Sequence, residues 1–238
     1  MPTVAESAAS VTFNWRRLVD FIFPPRCGGC ETPGSLWCEI CQAAVRDVPP
    51  PTCARCGQPG VADDVCASCR ATPLALEAIR SMTLFEGRIR HAIQALKYRR
   101  IAALAEPLGD ALARFWLRAP APVGAIVPVP LHPGRQRERG YNQAELLARR
   151  VGRAIGVPLR VSALRRVRAT AVQMTLHAAE RRANVADAFA CDDAAVSGID
   201  VLLIDDVCTT GSTLDACALT LKQAGAQAIY GLTLARTG

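Results

Sequence analysis

Long apolar runs are missing from this chain. Half of its 238 residues are apolar, yet no segment approaches the roughly eighteen uninterrupted apolar residues of a membrane-spanning helix. No basic stretch followed by an apolar one is found near the start, so no secretory leader is read and a cytoplasmic location is expected. Aromatic residues make up only 5%, too few for an extended base-stacking platform. Histidine is nearly absent: His91, His132 and His177 are the three, and they are far apart in sequence. They offer neither a metal-ligand spacing nor a nucleophile–base pair. His91 lies in a predicted helix and reads as structural. His132 is the one to watch, although no partner for general-base chemistry is visible beside it.

Cysteine, by contrast, is plentiful. Eleven are present, a number that in a secreted chain suggests disulfides and in a cytosolic one suggests metal. Eight form four C-x-x-C pairs: Cys27 and Cys30, Cys38 and Cys41, Cys53 and Cys56, Cys66 and Cys69. One such turn presents two thiolates to a tetrahedral zinc, and a second closes the site with no open position, so the zinc is structural. Sequential pairing gives two four-cysteine sites, a double zinc ribbon. Crossed pairing, first pair with third and second with fourth, is the alternative. Few apolar residues lie among them, so metal binding is expected to drive folding of the segment. The other cysteines, Cys191, Cys208 and Cys217, read as small buried apolar residues, with Cys208 open to a redox role because of its position in the loop described below.

Three units are expected: a tail and the start of an N-terminal helix over 1–20, the cysteine-rich module over 21–72, and a larger domain over 73–238. The N-terminal helix, from Asn14 to Phe23, stops at Pro24-Pro25 and reads as docking onto the neighbouring module, with membrane-surface binding as the alternative. The large domain alternates strand and helix. Strands are read at Arg80–Phe85, Ala125–Val129, Leu159–Val161 and from Val201. Helices are read from Ile89 to Leu96, from Ile101 to Leu117 with Pro107 either in its first turn or kinking it, and from Asn142 to Ile155. The last has an Asn142/Glu145 capping box and Gly156 as its stop. This order predicts an α/β fold with a mostly parallel sheet.

One stretch organises that domain. Val201-Leu202-Leu203-Ile204 reads as a fully buried strand, and Asp205 and Asp206 follow at its carboxyl end, where open α/β sheets bind ligands. Val207, Cys208, Thr209, Thr210, Gly211, Ser212 and Thr213 then lead into a helix from Leu214 to Ala224. A hydroxyl- and glycine-rich loop at a helix start offers N–H groups to a phosphate. Carboxylates beside such a cradle repel a bare polyphosphate but suit ribose hydroxyls, with magnesium screening any diphosphate. The residues therefore point to a sugar 5-phosphate with neighbouring hydroxyls. This stretch resembles the phosphoribosyl-pyrophosphate (PRPP) signature of type I phosphoribosyltransferases. The resemblance implies Asp205 and Asp206 on the 2- and 3-hydroxyls and Thr209–Thr213 on the 5-phosphate.

Charge is uneven as well. The formal net charge is +7, falling to about +3 if two zinc ions each hold four thiolates. Between Leu131 and Arg182, however, twelve arginines face three glutamates. A solvated surface, a diphosphate site and a nucleic-acid backbone site all account for such a cluster. Arg135, Arg137 and Arg139 follow the predicted strand end at Val129 and can share a concave face with Asp205. Tyr98 and Tyr141, each beside basic residues, read either as base-stacking residues or as rim and core.

The cysteine ribbons, Ala95-Leu96-Lys97-Tyr98, Val127-Pro128-Val129-Pro130-Leu131-His132, Arg137-Glu138-Arg139-Gly140-Tyr141-Asn142-Gln143 and the terminal signature together resemble the ComF family, ComFC in particular. Arg165, Thr170, Gln173, Leu176, Arg181, Asn184-Val185 and Phe189 extend the likeness, which covers roughly 21–236; Met174-Thr175 departs from it, since a Thr usually follows the Gln directly. The resemblance implies a type I phosphoribosyltransferase fold behind the double zinc ribbon. It also implies a Val129–Arg139 diphosphate loop, with Pro130, Arg135 and Arg139 on PRPP, and a mobile hood over Arg165–Arg182. It further implies a role in natural competence, handling incoming single-stranded DNA at the inner face of the membrane with a helicase-like partner. Lys97, Tyr98, Arg99, Tyr141, Arg165, Arg181 and Arg182 are then nucleic-acid candidates. Asp205, Asp206, Arg137 and Arg139 are the catalytic candidates if phosphoribosyl transfer occurs; a metabolic transferase and a non-catalytic PRPP sensor are the rival functions.

Overall fold

The structure is a computed structural model, and it describes residues 24–168, 188–191, 194 and 196–238. The N-terminal tail, all of the expected first helix, and Ala169–Arg182 of the expected hood lie outside the described residues.

Eight cysteines fold the N-terminal module around two short helices, α1 (Glu39–Ala43) and α2 (Ala67–Ala71). The large domain follows as β1 (Ala78–Leu84), α3 (Gly87–Tyr98), a 3-10 turn at Ala102–Leu104, α4 (Ala105–Leu117), β2 (Ala125–Pro128), α5 (Pro133–Arg139) and α6 (Gln143–Ile155). It ends with β3 (Leu164–Arg166), β4 (Phe189–Cys191), β5 (Val201–Cys208), α7 (Ser212–Gln223) and β6 (Ile229–Arg236). The main sheet has the order β1-β6-β5-β2, parallel throughout, while β3 and β4 form a separate antiparallel pair. This is the α/β, mostly parallel architecture expected from the sequence, with the cysteine-rich module at its N-terminal side.

Burial explains the layers. Val201, Leu202, Leu203 and Ile204 of the central β5 are fully buried, because helices cover both faces of a parallel sheet. Leu202 and Ile204 join Ile93, Leu96, Leu108, Leu112, Leu147 and Val151 of α3, α4 and α6. Val201 and Leu203 join Leu214, Cys217 and Leu221 of α7 on the other face. Each fully buried aliphatic side chain contributes roughly 1.5–3 kcal/mol of transfer free energy.

Several boundaries differ from the expected ones. β5 runs on through both aspartates to Cys208, because Asp205 still pairs with Thr233 and Cys208 with Arg236 of β6. Pro133–Arg139 is a two-turn helix instead of an extended loop. His132 caps it, its Nδ1 accepting from Gly134 N at 3.2 Å, so this histidine has a structural task. Leu159–Val161 contributes only a parallel bridge between Leu159 and Ile126. Asn142 caps α6 as expected, its Oδ1 accepting from Ala144 N at 3.0 Å, and Gly156 ends the helix with φ 72°, but Glu145 accepts from Arg149 and does not complete the expected capping box.

The zinc-ribbon module covers the β1 edge. Ile79 N donates to Arg55 O at 2.7 Å, and Asp47 bridges to Thr83. A sheet edge left open is a template for unwanted pairing, and here it is closed in cis.

Candidate functional site

The eight C-x-x-C cysteines gather into two groups. Cys27, Cys30, Cys38 and Cys41 form one group and Cys53, Cys56, Cys66 and Cys69 another, with the ligand atoms of each within 4.8 Å of one another. Pairing is therefore sequential, and the crossed alternative is excluded. The donor sets fit zinc. Gly29 N and Cys38 N both donate to Cys27 Sγ at 3.4 Å, and Cys66 N donates to Cys53 Sγ at 3.3 Å. Such bonds favour thiolates. The Thr32 hydroxyl, 3.2 Å from Cys30 Sγ, brings that thiol down to about 6, with the Thr32 backbone in support. His91 Nδ1 lies 3.3 Å from Gly29 O and joins the first ribbon to α3.

At the end of β5, alternation sends the two aspartates to opposite faces of the sheet. Asp206 is 3% exposed and meets α3, where Lys97 Nζ lies 2.6 Å from its Oδ1. Its other oxygen, Oδ2, is buried with no hydrogen-bond partner among the described residues. Burial works against the Lys97 ammonium, but Asp206, aided by Asp205, outweighs it and raises the lysine above its ordinary value. Asp205 is half-buried, and its Oδ1 accepts from Asp206 N at 2.8 Å. Burial first, and then the neighbouring Asp206, push its carboxyl up to about 7. Arg166 is near enough to Asp205 and Arg135 for both to act on it electrostatically, and burial depresses its guanidinium.

The loop after β5 turns at Gly211, whose φ of 81° makes it the left-handed N-cap of α7. Having no side chain, Gly211 itself caps none of the first N–H groups of α7; Ser212 N makes only a long 3.4 Å bond to the Thr210 hydroxyl, and a helix start of this kind can turn its N–H groups to an anion. The Thr210 and Ser212 hydroxyls are 2.7 Å apart and converge on the same turn. A Cβ on Gly211 would lie 3.0 Å from Ile79 Cδ1, so the residue that takes Arg55 O of the second ribbon also packs under the loop. Arg236, fully buried at the end of β6, donates to Cys56 O at 2.5 Å and also to Gln58 Oε1. Cys208 is buried, and burial pushes its thiol up to about 11, which leaves it protonated and unreactive at neutral pH.

A cavity of about 420 Å³ opens beside Lys97, lined also by Tyr98, Arg100, Arg135, Glu138 and Arg139. Tyr98 is 73% exposed, with the Arg139 guanidinium 5.5 Å from its ring centroid. Arg100 has φ 57° and donates to Glu138 O at 2.7 Å. Val129 is held on β5 by its N–H bond to Ile204 O at 2.9 Å, which places Pro130 next to the acid pair's strand. Of the remaining candidates, Arg137 is exposed on α5 and does not line the cavity. Arg99 pairs with Glu31 at the surface. The Tyr141 hydroxyl donates to Leu96 O, and Arg165 is exposed on β3. Arg181 and Arg182 lie outside the described residues. Lys97, expected on nucleic acid, instead holds Asp206, and Arg100, Glu138 and Arg166 join the site without a motif of their own in the sequence. The one sequence signal for the Lys97–Asp206 pair is an apolar helix face ending in a lysine, too common to read.

Residues 18–70 match the double zinc ribbon domain family. Over 90% of this chain and 98% of its own length, the DNA utilization protein YhgH of Salmonella typhimurium is 32% identical. The chain belongs to the ComF family. Competence protein ComFC of Bacillus subtilis is 27% identical over 98% of the chain and 94% of its own length. Among solved structures, the glutamine PRPP amidotransferase of B. subtilis is similar over 56% of this chain at 20% identity, with a TM-score of 0.38. This chain spans only 26% of that protein.

Proposed function

We propose that this ComF-family chain binds PRPP with magnesium and serves the handling of incoming single-stranded DNA. The observation that carries the reading is the order of groups at the end of β5: two carboxylates, then a hydroxyl turn, then a helix start whose N-cap, Gly211, has no side chain. The 5-phosphate takes the Thr209–Thr213 turn, the ribose hydroxyls take Asp205 and Asp206, and the diphosphate takes Lys97, Arg135 and Arg139. The carboxylate of Asp205 would offer hard oxygen donors of the kind magnesium prefers, and the ion when bound would screen the diphosphate from the acid pair. A DNA role is supported by the names of the relatives and by the exposed Tyr98 against Arg139.

The same arrangement supports phosphoribosyl transfer. Departure of the diphosphate takes the electron pair of the C1–O bond, and an acceptor nitrogen or oxygen forms the new bond to C1. Arg135 and Arg139 then meet the charge developing on the leaving group. Asp205→Asn with Asp206→Asn is expected to abolish PRPP binding at unchanged zinc content. Unchanged affinity would remove the site. Pyrophosphate release that depends on an added acceptor would establish transfer, and a single-stranded oligonucleotide whose retention is lost in Tyr98→Ala would support the DNA role.

A further inference from the structure

We propose that Lys97 is shared between the two halves of the site. It holds Asp206 while no anion is present and passes to a diphosphate when one enters the cavity, releasing Asp206 to the ribose. This rests on the preceding reading that the cavity takes the diphosphate.

Among the described residues, four cations, Lys97, Arg100, Arg135 and Arg139, and one carboxylate, Glu138, line the cavity, a charge balance suited to a compact polyanion. Lys97 is the one of the four that also reaches Asp206, at 2.6 Å. An ammonium has three donors on a flexible stem, so it can serve either group by a rotamer change. Lys97 occupies the last turn of α3, and its side chain is 19% exposed while that of Asp206 is 4% exposed. Asp206 Oδ2 is buried and has no donor among the described residues. A carboxylate in this state is incompletely satisfied, and a ribose hydroxyl supplies the missing bond.

The consequence is an asymmetry between ligands. PRPP brings both the diphosphate that draws Lys97 away and the hydroxyls that replace it on Asp206. Free pyrophosphate brings only the first, so its binding leaves a buried carboxylate unpaired, which is costly. Removing the charge of Asp206 should therefore strengthen pyrophosphate binding while weakening PRPP binding.

The test is calorimetric titration of the full zinc-loaded chain with inorganic pyrophosphate in magnesium-free buffer, with thermal unfolding as the control for folding. Asp206→Asn is expected to bind pyrophosphate about fivefold tighter than the wild type, and Lys97→Met about tenfold weaker, as befits a charge-assisted hydrogen bond gained or lost. The double variant Lys97→Met with Asp206→Asn removes both charges together and stands in should Lys97→Met fail to fold. It is expected to bind like Lys97→Met, with no gain from the Asn. Equal or weaker pyrophosphate binding by Asp206→Asn overturns the proposal, as does absence of binding by both wild type and Asp206→Asn. A parallel titration with PRPP separates the two readings. If the pyrophosphate pattern holds and PRPP does not bind, the phosphoribosyl reading falls and the sharing of Lys97 stands. If PRPP binds and Asp206→Asn weakens pyrophosphate, only the sharing falls.

Discussion

Lys97 Nζ and Asp206 Oδ1 lie 2.6 Å apart at the junction of α3 and β5, and this pair joins the helix braced by the first zinc ribbon to the strand that carries the acid site. Both side chains are largely removed from water. Removing one partner from such a pair costs more than removing both, because it strands the other charge. Asp206→Ala is expected to lower unfolding stability by about 3 kcal/mol in urea titration, and Asp206→Ala with Lys97→Met by clearly less. Equal losses would mean the pair is not coupled.

Asp205 sets a pH dependence. Its carboxyl is raised from 3.8 to about 7, by burial first and by Asp206 next, against the pull of Lys97. Between about pH 4 and 7 the folded chain keeps a proton that the unfolded chain has lost. Stability from this group is therefore complete at low pH, falls as pH rises through that window, and levels off above it. Urea unfolding across the range should show this slope in the wild type and lose it in Asp205→Asn. Ligand binding that uses ionised Asp205 should run the opposite way and strengthen through pH 7.

The two ribbons should hold two zinc ions per chain. Because Cys30 and Cys38 belong to the same group, Cys30→Ser with Cys38→Ser is expected to leave one ion, measured by atomic absorption. Crossed pairing would put those two cysteines in different sites and leave none.

Gly211→Ala should injure both fold and site. Its φ of 81° disfavours any L side chain, and a Cβ would press on Ile79 Cδ1 at 3.0 Å. A loss of about 1–2 kcal/mol in stability is expected, together with at least about tenfold weaker binding of inorganic phosphate, because the α7 N–H groups would be re-aimed. Unchanged phosphate affinity would place the anion elsewhere.

Much of this was legible in the sequence because the signals were local. Four C-x-x-C turns, the apolar run Val201–Ile204, and Asn142 with Gly156 around α6 each specify structure through neighbours a few residues away. The acid pair and hydroxyl turn were equally readable. What escaped was non-local. Lys97 meets Asp206 across more than a hundred residues of chain, and Arg236 reaches back to Cys56 and Gln58. Ile79 ties the second ribbon to Gly211 only because the sheet brings the end of β5 near β1. The run past Ile204 to Cys208 was hidden because two carboxylates look like a strand end, whereas pairing with β6 carries the strand through them. The helix at Pro133–Arg139 was masked by Gly134 and five charged or amide side chains with no apolar stripe.

The most direct measurement is calorimetric titration of the zinc-loaded chain with PRPP, with and without magnesium. The account predicts saturable binding, one ligand per chain, that strengthens with magnesium and is lost in Asp205→Asn with Asp206→Asn. A folded, zinc-replete chain that takes up no PRPP under either condition would contradict it and move the function to the ribbons and the arginine surface.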